Sequence, residues 1–184
     1  MPATPDDLFA RLEALGIASD THQHPPLFTV EESKALRGTL PGGHCKCLFL
    51  KDKKGGLWLV VVLEDRQVDL KALRKRLGAS KTLSFGRPEL LREVLGVEPG
   101  SVTPFALIND SGRRANVVLD KAMLAHRPLN YHPLTNTATT AIRPDDLLAF
   151  IADCGHQPLI LDFDAAPEAA TEAATEPEPT AGAD

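Results

Sequence analysis

Long apolar runs are missing from this sequence. No stretch approaches the roughly 18 consecutive apolar residues that a membrane-crossing helix needs. The first residues carry no basic segment followed by an apolar core, so no secretory signal is expected either. A soluble, cytoplasmic protein with no membrane partner is the expectation. Cysteine is scarce as well: Cys45, Cys47 and Cys154 are an odd number without framework spacing, which reads as reduced thiols rather than a disulfide scaffold. Cys45-x-Cys47 is not a CxxC redox or zinc pair. His44 stands beside it, but no second compact ligand pair follows, so no metal site and no cofactor is expected. Also absent are a glycine-rich phosphate loop, an HExxH pair and a G-x-S-x-G elbow, which removes the common signatures of nucleotide hydrolysis, zinc proteolysis and serine esterases.

What is present is enough for one core. The chain has 184 residues, 43% of them apolar, within the usual range of a single domain. The net charge of -5 arises at one end. Ala166 to Asp184 holds Glu168, Glu172, Glu176, Glu178 and Asp184 and no Lys or Arg, so removing it leaves 25 - 5 = 20 acidic against 20 basic side chains. Residues 166-184, rich in Ala, Glu, Thr and Pro without apolar periodicity, are expected to form a disordered acidic tail behind a domain spanning 1-165. A neutral body neither requires nor excludes a nucleic-acid partner, because a local patch can act where the total does not.

Thr4, Pro5 and Asp7 begin an amphipathic helix that Gly16 stops. His22 and His24 alternate on an extended segment. Thr29-Val30-Glu31-Glu32 predicts a capped helix through about Leu36. Pro41-Gly42-Gly43 turns into a strand over Cys45 to Leu50, on which Cys45 and Cys47 share one face and Lys46 takes the other. Lys51 to Gly56 reads as a hairpin loop and Leu57 to Leu63 as a central strand. Asp69 caps a basic helix over Leu70 to Leu77. A strand over Thr82 to Phe85 and a helix over Pro88 to Leu95 come next. Val102 to Ile108 reads as a strand that turns through Asn109 to Gly112 into a return strand over Asn116 to Leu119. Asp120 caps a short helical piece up to Ala125, Pro144 opens a last helix that Gly155 ends, and Pro158 to Phe163 is a final strand. The order lacks a regular βαβ period. The predicted class is therefore α+β, a single domain with a mixed, largely antiparallel sheet flanked by helices around one core.

Two stretches carry most of the polar chemistry. Leu129 to Thr140 is rich in hydroxyl, amide and imidazole groups, and Gly42 to Asp52 is a polar turn that becomes a strand. At these residues the sequence resembles the YbaK-like superfamily of trans-acting aminoacyl-tRNA deacylases, specifically its prolyl-tRNA synthetase associated domain branch (ProXp-ala or PrdX). The resemblance covers about residues 4 to 164. Its marks are His24-Pro25, Phe28-Thr29-Val30-Glu31, Pro41-Gly42-Gly43-His44-x-Lys46-x-Leu48-Phe49-Leu50-Lys51-Asp52, Gly96-Val97-x-Pro99-Gly100-Ser101-Val102-Thr103-Pro104, Leu119-Asp120, and Asn130-Tyr131-His132-Pro133-Leu134-x-Asn136-Thr137-x-Thr139.

The resemblance implies a compact fold around a barrel-like sheet and hydrolysis of the aminoacyl ester of mischarged tRNA, foremost alanine on proline tRNA. Lys46 matches the family lysine that holds the 3'-terminal nucleotide and supports catalysis; His132 and Asn136 match the second pocket segment. Backbone N-H groups from Gly100 through Ser101 and Val102 to Thr103 would assist water attack. A small amino-acid pocket would be lined by Leu27, Phe28, Thr29, Val30, His132, Asn136, Thr137 and Thr139. The acceptor end of tRNA would meet Lys46, Lys51, Lys53, Lys54 and Arg74, and a transient association with prolyl-tRNA synthetase is implied. Cys47 departs from the family, which usually has Asn after the lysine. Three alternatives stay open: a deacylase for cysteine on proline tRNA, a catalytically silent module binding the acceptor end, and a thiol enzyme using Cys45 or Cys47.

Overall fold

The run Leu57 to Leu63 is apolar at every position because it is covered on both faces. In the computed structural model, which describes residues 1–26 and 40–165, it forms β3 (Leu57–Leu63) between β2 (Gly43–Asp52) and β5 (Ala115–Asp120). The remaining strands are β1 (Asp20–Gln23), β4 (Leu83–Phe85), β6 (Leu129–Tyr131), β7 (Ala138–Ile142) and β8 (Leu159–Leu161). Their order is β1-β7-β6-β2-β3-β5-β8, with β4 attached to β2. β1–β7, β6–β7, β2–β3 and β2–β4 are antiparallel, whereas β2–β6, β3–β5 and β5–β8 are parallel.

This is the expected mixed α+β sheet with helices, in one domain. It is open rather than a closed barrel: β1 and β8 are its ends among the described residues. The single core of the sequence reading is two layers, because strand alternation sends apolar side chains to both faces. On one face Cys45, Cys47 and Phe49 of β2 join Leu57, Leu59 and Val61 of β3. Four elements cover them: α1 (Pro5–Ala14), α3 (Pro88–Leu95), a 3-10 helix (Pro104–Asn109) and α4 (Pro144–Asp153). On the other face Leu50, Val60, Val62, Val118 and Leu161 pack against Leu73 of α2 (Leu70–Arg76).

The local signals act as their chemistry requires. Thr4 and Asp7 form a reciprocal cap at α1, Thr4 Oγ1 accepting from Asp7 N and Asp7 Oδ2 from Thr4 N. Asp69 accepts from Lys71 N at α2. Gly96 ends α3 with φ 64°. No helix among the described residues is long and apolar enough to cross a membrane.

One predicted hairpin is absent. Residues 104–109 are a 3-10 helix, not a strand, and β5 pairs in parallel with β3. Thr103 caps this helix by accepting from Phe105 N, and Pro104 occupies its first turn. Phe105, Ala106 and Leu107 are all buried in succession, so a continuous apolar run that suits an interior strand served an interior helix equally well. The predicted helix at Thr29 to Leu36 and the tail over 166–184 lie outside the described residues.

Candidate active site

The face that carries α2 changes character across β2. Beyond β2, toward β6, β7 and β1, polar residues replace the aliphatic ones. Registers bring them together. β2 pairs with β6 through Gly43↔Leu129 and His44↔Asn130. Two positions further along each strand direction stand Lys46 and His132, on the same side as His44 and Asn130. The bond from Glu64 N to His44 O (2.9 Å) continues the β2–β3 ladder and sets Glu64 opposite His44. His22 is paired with Thr139, and the bond from His24 N to Thr137 O (2.9 Å) brings His24 beside them.

The turn into β2 needs both of its glycines. Gly42 has φ 102°, and a Cβ there would run into the Pro128 carbonyl; a Cβ on Gly43 would lie 2.7 Å from His126 Cβ. Asn130 Nδ2 fastens the same turn by donating to Pro41 O at 3.0 Å and Gly43 O at 3.3 Å. The β6–β7 loop is drawn together by a Leu134 N to His132 O bond (3.0 Å) and by the Thr135 and Thr137 hydroxyls, 3.0 Å apart. The stretch expected as a pocket wall is thus a β-hairpin.

The hydrogen bonds fix the imidazole tautomers, because a carbonyl oxygen can only accept. His132 Nδ1 donates to Ala138 O (3.0 Å). Burial lowers the basicity of His132 first; the Ala138 bond raises it, His24 lowers it and Glu64 raises it, with a net result below the ordinary value. His132 is therefore neutral near pH 7, and its Nε2 is a hydrogen-bond acceptor. His24 Nδ1 donates to Pro25 O (2.9 Å), so in the neutral ring Nε2 accepts from the Thr139 hydroxyl at 2.9 Å. The His24 and His132 ring centroids lie 6.2 Å apart. Lys46 is half-buried, and no hydrogen bond or ion pair ties its ammonium to another described residue.

Cavities flank the strip. One of ≈ 330 Å³ lies over β1, β7 and β6, lined by Asp20, His22, Leu40, Asn130 and Ala141 among others. Another of ≈ 430 Å³ opens at the β2–β3 end beside Gly43, His44, Glu64 and His126. Both fall in the size range of small-ligand sites.

The thiols stand on the opposite face. Burial pushes Cys45 up to about 12, with Tyr131 lowering it and Asp120 and Glu64 raising it. Burial, then Cys45, pushes Cys47 well above the ordinary thiol value. Both shifts favour the neutral thiol over the thiolate, which counts against the thiol-enzyme reading for these two residues. His44 points away from both, bonding Leu40 O at 3.0 Å.

Of the residues singled out from sequence, Lys46, His132, Thr137 and Thr139 come together around the strip, and Asn136 sits in the same β6–β7 loop. Leu27, Phe28, Thr29 and Val30 lie outside the described residues. Gly100 to Thr103 precede the 3-10 helix of the core face, and the Ser101 N-H is committed to Glu98 O at 3.0 Å. Lys51, Lys53 and Lys54 stand around the β2–β3 turn, and Lys51 is an odd number of positions from Lys46, hence on the other face. Arg74 lies on α2. Lys46 and Lys51 therefore do not share a face. From sequence, His24-Pro25 is a mark of the resemblance, but His24 has no place among the expected site residues and Glu64 is not singled out; the alternation of His22 with His24 was the available signal for the first, and none existed for the second.

This strip and sheet belong to the aminoacyl-tRNA editing domain family, which matches residues 24–150. Among relatives, the chain is 46% identical over 158 residues to prolyl-tRNA synthetase associated domain-containing protein 1 of Bos taurus, covering 84% of this chain and 92% of that protein. It is 34% identical over 141 residues to the prolyl-tRNA editing protein ProX of Acetoanaerobium sticklandii, covering 76% and 85%. A solved structure described as a candidate trans-editing enzyme for prolyl tRNA synthetase superposes with TM-score 0.65 at 23% identity, covering 88% of this chain and 99% of that one, which shows the shared fold.

Proposed function

We propose that the protein hydrolyses the aminoacyl ester of mischarged tRNA in trans, with alanine on proline tRNA as the preferred substrate, releasing alanine and free tRNA. The observation that carries this reading is the convergence of Lys46, neutral His132 and the Thr139 hydroxyl on one strip of an editing-domain sheet. Hydrolysis needs a water aimed at the carbonyl and a positive group where the oxygen gains charge. Lys46 holds the terminal phosphate and stabilises that charge, the role that the committed Ser101 N-H does not fill. His132 Nε2 accepts a proton-bearing partner, the attacking water or a ribose hydroxyl of the terminal adenosine. Asn136, Thr137 and Thr139 wall the amino acid. A small pocket rejects larger side chains by size, whereas a single methylene gives discrimination of only about 1–3 kcal/mol. Similarity to prolyl-tRNA editing proteins supports proline tRNA as the carrier and a transient association with prolyl-tRNA synthetase.

The test is amino-acid release from one proline tRNA charged in turn with alanine, cysteine, serine or proline, followed by alanine on its cognate tRNA. Alanine on proline tRNA should be released fastest and proline retained. Faster release of cysteine would move the specificity to a cysteine editor. Tight binding of the acceptor end without release of any amino acid would leave a silent binding module.

A further inference from the structure

One edge of β2 is covered along only part of its length. In an antiparallel pair, successive residues send their main-chain groups to opposite edges. The bond from Glu64 N to His44 O turns His44, Lys46 and Leu48 toward β3, so Gly43, Cys45, Cys47 and Phe49 turn toward the other edge. There Gly43 N donates to Pro128 O at 2.8 Å, and Phe49 O accepts from Gly86 N at 2.9 Å. Pairing with β6 stops at His44↔Asn130, and pairing with β4 starts at Leu50↔Phe85. Between them the N–H and C=O of Cys47 have no strand beside them, and no turn or loop of the described residues bonds to either. The chain of β6 turns away after His132, where Leu134 N closes on His132 O at 3.0 Å and Leu134 takes φ 64°. The Cys47 thiol is buried behind the sheet, yet the residue keeps partial exposure; what solvent reaches is chiefly main chain.

An amino-acid ester carries the same two groups as one strand residue, an N–H donor and a C=O acceptor on either side of one Cα. We propose that Cys47, through its main chain, receives the aminoacyl group as a one-residue β-bridge: its N–H donates to the ester carbonyl oxygen and its C=O accepts from the α-ammonium group. The inference rests on the ester-hydrolysis reading, since the slot lies between Lys46, the preceding residue of β2, and His132, where β6 turns away. The bridge aims a fixed N–H at the oxygen that gains charge as water attacks. It also gives the position where Cys47 departs from the family a main-chain role, which leaves the thiol to the core layer. In a prolyl ester the ring ties Cδ to the nitrogen, so a hydrogen cannot turn freely toward the Cys47 carbonyl.

The test uses the scarcity of cysteine: protein made with isotopically labelled cysteine gives three amide resonances by NMR, from Cys45, Cys47 and Cys154. Titration with 3'-alanylamino-3'-deoxyadenosine, whose amide resists hydrolysis, should move the Cys47 resonance downfield and leave that of Cys154 in place. The 3'-propionylamino counterpart lacks only the ammonium and should bind about 10- to 100-fold more weakly, the worth of one hydrogen bond to a charged group. Lactic acid placed at position 47 exchanges the N–H for an ester oxygen without breaking a ladder bond; it should slow single-turnover hydrolysis about 100- to 1000-fold relative to Cys47→Ala, the loss of one such donor. An unmoved Cys47 resonance, equal affinity for the two compounds, or equal rates for the lactic acid and alanine proteins would overturn the proposal. Ester hydrolysis without these signals removes the bridge alone. A Cys47 response to the alanyl compound without hydrolysis of any charged tRNA keeps the contact and removes the ester-hydrolysis reading.

Discussion

One sheet face carries two surfaces of opposite character on the same backbone. Under α2 it presents Leu50, Val60, Val62 and Val118, all almost fully buried. Across β2 it presents His44, Lys46, His132, Thr139 and His24. Both halves are built from alternating strand positions, so the difference lies wholly in side-chain choice. The aliphatic half contributes stability through area removed from water. The polar half contributes little of that, and among the described residues it leaves the Lys46 ammonium and His132 Nε2 without a hydrogen-bond partner. Substitutions in the two halves should therefore separate stability from catalysis.

Lys46→Ala should give the largest effect on turnover, about 100- to 1000-fold in single-turnover ester hydrolysis, comparable to removal of one charge-stabilising donor. Its thermal midpoint should stay near that of the unaltered protein. Leu50→Ala, four residues along the same face, should do the reverse, losing about 2–5 kcal/mol in denaturant unfolding while each folded molecule keeps its rate. Equal loss of rate in both would erase the distinction.

The acid limb of the rate against pH sharpens the comparison further. With His132 active as the neutral ring and its basicity lowered, first by burial, hydrolysis should fall only below the ordinary histidine value of about 6.5. Glu64→Gln removes a charge that favours the protonated ring and should move the limb to lower pH, whereas His24→Gln should move it to higher pH. The sign for stability follows from linkage. The unfolded chain takes the proton at higher pH than the folded one, so this contribution is complete above the unfolded value and is lost as pH falls through the folded one. An acid limb unaffected by both substitutions would remove His132 from the proton balance.

Cys47→Ser and Cys45→Ser should retain substantial activity, because both thiols lie in the core layer behind the strip. Their cost should appear in stability, about 1–3 kcal/mol for a buried hydroxyl without a partner. Complete loss of turnover by a folded Cys47→Ser protein that still binds tRNA would reinstate thiol chemistry. The smallest effect should come from deleting Pro167 to Asp184, whose sequence offers no apolar face: an unchanged thermal midpoint and slightly tighter tRNA binding at low salt.

Much of the fold was legible because its signals are local. The Thr4–Asp7 and Asp69 caps, Gly96, and the unbroken run of Leu57 to Leu63 each state an element and its boundary. Residues 102–108 misled because Phe105, Ala106 and Leu107 satisfy a buried strand and a buried helix alike. The polar strip was legible only in parts. Lys46 and His132 could be singled out, but what joins them is a parallel pairing between β2 and β6 that no local pattern announces. The division of the basic residues was readable, since Lys46 and Lys51 differ by an odd number of strand positions.

The central claim is that the ester is cleaved on the polar half of this face. The most direct measurement is a crystal structure with a non-hydrolysable amide analogue of 3'-alanyl-adenosine. The account predicts the alanyl group against His132 and Thr139, with the Lys46 ammonium within hydrogen-bond distance of the nucleotide. An analogue seated on the Cys45 and Cys47 side of the sheet, with the polar strip empty, would contradict it.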